Sequence, residues 1–79
     1  MALDYHEDQQ MLTGTIKLFF DDRGFGFIRP DQRGETDRFF HLRSVVPLGS
    51  VPKEGQRVEY ELGPDPKTGG SMAVNVRVR

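Results

Sequence analysis

From residue 12 onward, apolar residues recur at every second position in short runs, and each run stops at Gly, Pro or Asp. Period two is the repeat of a half-buried β-strand, and no helical period is sustained anywhere. Five runs read as strands: residues 13–20, 25–29, 37–41, 57–62 and 72–78. Asp21-Asp22-Arg23-Gly24 reads as a turn in which Gly24 takes positive φ. Pro30 stops the second run, and 31–36 is a polar loop. The stretch 42–56 holds Pro47, Gly49, Pro52 and Gly55, so it reads as a long connection with room for one short helical turn. Five short strands separated by turns predict an all-β barrel or sandwich, and barrel closure also removes exposed strand edges.

Strict alternation puts Leu12, Ile16, Leu18 and Phe20 on one face of the first strand, and Thr15, Lys17 and Phe19 on the other. Val58, Tyr60 and Leu62 point inward from the fourth strand, and Met72, Val74, Val76 and Val78 alternate in the last. The expected core is Ile16, Ile28, Phe40, Val58, Tyr60, Leu62, Val74 and Val76. A chain of 79 residues allows one domain. It has no cysteine, hence no disulfide framework and no Cys/His zinc cluster, and no cofactor or metal is expected. His41 has no second ligand at useful spacing, and Ser44, Ser50 and Ser71 lack the context of a catalytic nucleophile, so an enzyme is not expected. With no signal-peptide pattern and no long apolar stretch, the expected setting is the cytoplasm.

Net charge is −1, but it is unevenly spread. Residues 1–10 read as a flexible acidic tail carrying Asp4, Glu7 and Asp8, ahead of a domain at 11–79. Without those three carboxylates the balance is +2, which permits a phosphate-bearing partner.

All six phenylalanines lie between residues 19 and 40. Phe25 and Phe27 share a face of the second strand with Arg29, and Phe39 shares a face of the third with His41. Phenylalanines at period two are ordinarily core. Two features favour an exposed platform here: the aliphatic residues already supply a core, and a buried row would not accept Arg29 and His41. Aromatic rings stack on the flat face of any base, each stack being worth about 1–3 kcal/mol, and cations track the phosphates. Lys17, Arg23 and Arg29 are the candidate phosphate contacts.

Several segments together resemble the cold-shock domain. Gly14-Thr15-Ile16-Lys17-Leu18-Phe19 is similar to that family's Gly-x-Val-Lys-Trp-Phe opening. Arg23-Gly24-Phe25-Gly26-Phe27-Ile28 and Asp37-Arg38-Phe39-Phe40-His41 resemble its two aromatic motifs. Glu54-Gly55-Gln56 and Ala73-Val74-Asn75-Val76 match segments near its end. The resemblance implies a five-stranded antiparallel OB-type β-barrel that binds single-stranded RNA and DNA with low sequence specificity. It also implies RNA-chaperone work, often in stress response. Family roles fall on Lys17, Phe19, Arg23, Phe25, Phe27, Asp37, Phe39 and His41, with Phe19 partly a packing residue.

This chain departs from the family at several positions. Leu18 stands where a stacking tryptophan is usual, Phe20 replaces an asparagine, and Leu42 replaces an aromatic. The loss of two platforms predicts weaker binding, unless a bulge turns Phe20 outward. Arg38 falls on the core face, where an unpaired charge is costly, and is expected at a barrel end beside a carboxylate such as Glu35 or Asp37. The alternative to a nucleic-acid binder is a protein-interaction barrel whose aromatic patch meets a partner or a second copy; a monomer is expected.

Overall fold

Five strands form where the alternating runs predict them. The computed structural model describes residues 11–79, so the expected acidic tail at 1–10 lies outside the described residues. The strands are β1 (Leu12–Phe20), β2 (Phe25–Pro30), β3 (Arg38–His41), β4 (Arg57–Pro64) and β5 (Ser71–Val78). One 3-10 turn, Leu42–Ser44, follows β3 and supplies the short helical turn expected in that connection. Between β1 and β2, the Arg23 and Gly24 N–H groups both donate to the Phe20 carbonyl, at 3.0 and 2.8 Å, with Gly24 at φ 77°.

The strands close into a barrel in the order β1-β2-β3-β5-β4. Four of the contacts are antiparallel, as expected. The closing contact between β3 and β5 is parallel, because both strands run the same way where the barrel meets itself.

Two bulges break the alternation. Ile16 pairs with Ile28 but Leu18 pairs with Phe27, so β1 carries one residue more than β2 at Lys17. Beyond that point the faces exchange: Phe19 turns inward, and Leu18 and Phe20 turn outward with 38% exposure each. This corrects the expectation that Leu18 and Phe20 share a face with Ile16. The second bulge lies in β5, where Glu59 pairs with Arg77 and Glu61 with Val74. Asn75 sits there at φ 51°, a left-handed conformation that Asn tolerates better than most residues.

The core therefore differs from the expected one at two positions. It consists of Ile16, Ile28, Phe40, Val45, Val58, Tyr60, Ala73 and Val76. Ala73 takes the place expected for Val74 because of the β5 bulge, and Val45 enters from the connection after β3. Leu62 is exposed rather than buried.

Phe19 packs on this core with its ring stacked 6.0 Å from that of Phe40. Gly26, opposite Phe19, makes room for the same ring: a Cβ there would lie 2.9 Å from two Phe40 ring atoms and against the Leu18 carbonyl. Arg38 meets the expectation for a charge on the core face, since it pairs with Glu35. Burial pushes the nearby Tyr60 phenol above its ordinary value, with the Arg38 charge acting against that shift.

On the outer side, Asp31 ties β2 to β1 and β4. Arg57 donates to both of its carboxylate oxygens, Thr13 donates to it at 2.6 Å, and Arg57 also donates to Thr15 at 2.9 Å. These hydrogen bonds hold the Asp31 carboxyl well below the usual carboxylate range. A depressed folded-state pKa stabilises the fold fully above the unfolded value of about 3.9, and the contribution is lost as pH falls from there. Asp31→Asn is thus expected to lower stability at neutral pH and to flatten the acid side of the stability profile, measured by urea unfolding across pH. Gly26→Ala is expected to cost about 1–3 kcal/mol by overpacking the Phe40 ring, read from the urea midpoint.

Candidate nucleic-acid interface

The β1 bulge and the unbroken β2–β3 ladder together build the outer face. Phe20, Phe25 and His41 pair across three strands in one row, and Leu18, Phe27 and Phe39 pair in the next. Adjacent strands lie about 4.8 Å apart, so each row is about 10 Å wide. Gly26 and Ile28 fill the inner side of β2, which leaves Phe25 and Phe27 outside and half-buried. Ring centroids are 5.2 Å apart for Phe20 and Phe25, 5.6 Å for Phe25 and Phe39, and 6.0 Å for Phe27 and Phe39. The rings are tilted or edge-on to one another.

Charged groups border these rows. Arg29 continues the outer face of β2 and is exposed. Lys17, at the bulge, bonds Asp37 at 2.7 Å and ties β1 to the entry of β3 across β2. Part of the Lys17 charge is therefore already matched by a carboxylate. At the opposite end, Arg23 is exposed in the β1–β2 turn. His41 Nδ1 accepts a long 3.4 Å bond from the Arg43 N–H.

Alongside β3 lie two adjoining depressions of about 550 and 440 Å³. They share Phe39, His41, Asp65 and Lys67; Arg23 lines the larger and Arg43 the smaller. The far wall is the β4–β5 loop.

Of the sequence-predicted residues, Phe25, Phe27, Phe39 and His41 come together on one face, with Arg29, Lys17 and Asp37 at one end and Arg23 at the other. Phe19 does not join them. The bulge turns its ring inward onto Phe40, in keeping with the partly packing role that the resemblance implies for it. Sequence reasoning admits Phe20 to the face only if a bulge turns it outward, which is what the structure shows, and does not name Arg43 or Lys67 as contacts. The signal for Phe20 is the adjacent Phe19-Phe20 pair, in which one ring must face out whichever way the strand is phased. Among the described residues no group of three or more His, Cys, Asp or Glu side chains could hold a metal ion. No helix among them is long and apolar enough to cross a membrane.

The family described as the 'Cold-shock' DNA-binding domain matches residues 12–79. The chain belongs to the cold-shock domain family. It is 46% identical over 68 residues to cold shock protein CspA of Rhizobium meliloti, covering 85% of this chain and 97% of that protein. It is 44% identical over 68 residues to probable cold shock protein y4cH of Sinorhizobium fredii, with the same two coverages. Among solved structures, "drosophila Unr CSD456" shares the fold with a TM-score of 0.72 at 22% identity, over 98% of this chain and 31% of that one. Cold-shock domains are a nucleic-acid-binding family, and Phe25, Phe27, Phe39 and His41 of the rows lie in the two aromatic motifs of the resemblance.

The exchange of faces at the bulge has a direct test in two neighbouring alanine variants. Phe19→Ala is expected to cost about 3 kcal/mol of stability, near the lower end for removing a buried phenylalanine. Phe20→Ala is expected to stay within about 1 kcal/mol, as an outer-face change does. Urea unfolding of the pair measures both.

Proposed function

We propose that this protein binds single-stranded RNA or DNA with low sequence specificity by stacking bases on Phe20, Phe25, Phe27, Phe39 and His41. Arg23, Arg29 and Lys17 neutralise phosphates, and Asp37 accepts hydrogen bonds from base edges. Binding of this kind holds strands unpaired, which is the work of an RNA chaperone in the cytoplasm.

The supporting observation is a double row of four phenylalanines, a leucine and a histidine on a sheet face whose inner side already has a complete core. Such a face has no packing reason to be aromatic. Unpaired bases offer flat surfaces to it, whereas the bases of a duplex are already stacked on one another. Leu18 forgoes one platform and Phe20 supplies another, each worth about 1–3 kcal/mol, so those two changes nearly offset. The aromatic missing at Leu42 has no such replacement, because Leu42 packs on the core.

Anisotropy of a labelled single-stranded oligonucleotide, measured over a range of salt, tests the proposal. Affinity is expected to fall with salt by about 0.7 log units per log unit for each phosphate neutralised. Phe27→Ala is expected to weaken binding by about 1–3 kcal/mol while leaving the unfolding midpoint nearly unchanged. Equal affinity for duplex, or a collapse of stability in Phe27→Ala, would sink the proposal. Binding of a protein partner or self-association through the same face would replace it.

A further inference from the structure

Residues 1–10 precede the cold-shock match, which begins at residue 12, so they are an addition to the barrel rather than a part of it. They hold three carboxylates, Asp4, Glu7 and Asp8, and no lysine or arginine. One aromatic ring, Tyr5, stands among the carboxylates. A ring flanked by anions is the pair of features that a nucleotide offers, with base and phosphate in those two roles.

The barrel supplies the complement close to where these residues join it. β1 starts at Leu12. Three residues on, Thr15 pairs with Arg29, and the Asp31 N–H donates to the Thr13 carbonyl at 3.0 Å. Arg29 and Arg33 flank Asp31 in sequence, so both stand at the end of the sheet where β1 begins. Both are exposed, and neither has an ion-pair partner among the described residues. Asp31 itself is taken up by Arg57 and Thr13. Further along the same outer face come Lys17 and then the row of Leu18, Phe27 and Phe39.

The distances fit. A strand rises about 3.3 Å per residue, so Arg29 lies about 10 Å along β1 from Leu12, and the row of Phe27 at most about 20 Å. An extended segment spans up to about 3.3–3.6 Å per residue, which gives Asp8 a reach of about 13 Å from Leu12 and Tyr5 a reach of about 23 Å. Gln9 and Gln10, both uncharged, lie between the last carboxylate and the barrel.

We infer that residues 1–10 turn back over the outer face, with Glu7 and Asp8 on Arg29 and Arg33 and Tyr5 on the ring of Phe27, and that a single strand must displace them to bind. The competition rests on the single-strand binding proposed above; the contact itself does not. Contacts between exposed charges are individually weak, so the cover is partial and gives way to a ligand that makes more of them. The segment is a built-in competitor that ranks ligands: a short or poorly stacking strand is turned away, and a longer one is admitted.

The test uses the full chain in three forms: wild type, the neutralised variant Asp4→Asn/Glu7→Gln/Asp8→Asn, and Tyr5→Ala. In anisotropy with a labelled single strand at low salt, the neutralised variant is expected to bind about threefold more tightly than wild type, the gain from freeing a face covered two-thirds of the time. At high salt the two are expected to converge. Tyr5→Ala, which keeps all three charges, is expected to bind more tightly than wild type as well. Without oligonucleotide, the NMR ring signals of Phe27 are expected to differ between wild type and each variant, independently of protein concentration. Equal affinities of wild type and the neutralised variant at low salt overturn the inference. So does a gain in the neutralised variant with none in Tyr5→Ala, which would mean general repulsion of phosphate. Ring signals that move with protein concentration also overturn it, since they assign the contact to a second copy. A wild type that binds no single strand ends the proposed function, whereas identical Phe27 ring signals in all three proteins strike the contact of residues 1–10 alone.

Discussion

A single additional residue on β1, opposite the Ile28–Phe27 step of β2, decides which side of the barrel each later β1 side chain takes. Without it, Phe20 and Leu18 would crowd a core already filled by Phe40 and Tyr60, and Phe19 would stand in water. With it, Phe19 caps the Phe40 ring and Gly26 provides the space that this stack needs. The outer face then gains a third strand's worth of apolar surface beside β2 and β3. The fold and the candidate interface thus depend on one local change of register, and its outer-face product is the pairing of Phe20 with Phe25.

How much of this could be read from sequence follows the same logic. Phe25, Phe27, Phe39 and His41 were legible because the β2–β3 ladder is unbroken, so parity along each strand survives to the structure. Parity failed at Phe19, Phe20, Ala73 and Val74, each next to a bulge, because a bulge adds a residue without leaving a mark in an apolar–polar pattern. Val45 was invisible for another reason: it comes from a connection, where no strand period applies. That Arg38 would meet a nearby carboxylate was foreseeable, with Glu35 and Asp37 both close in sequence, whereas the Asp31–Arg57 contacts join residues 26 apart that only the barrel brings together.

Charge is arranged by the same topology. The carboxylates of Asp31, Asp37 and Glu59 each meet a lysine or arginine on a neighbouring part of the sheet, so much of the formal charge is used within the fold. Of the seven cations without an ion-pair partner among the described residues, four, Arg23, Arg29, Arg43 and Lys67, lie around the aromatic face. Net charge is consequently a poor guide to what this surface attracts, since the sum counts pairs that cancel locally and misses the few groups that do not.

The parallel contact that closes the barrel has its own consequence. Only Phe40 and Ala73 are in register between β3 and β5, with one further bridge from Val45 to Val76, whereas β3 meets β2 at four residue pairs. That makes the closure a seam with little backbone bonding, held mainly by side chains, and low local contact density favours local opening. It runs beside Phe39 and His41, so the strand that carries a third of the aromatic rows also borders this seam. A ligand lying across β2 and β3 and reaching the β4–β5 loop would span this seam from both sides. Its binding would act as a clasp, shifting the opening equilibrium towards the closed barrel.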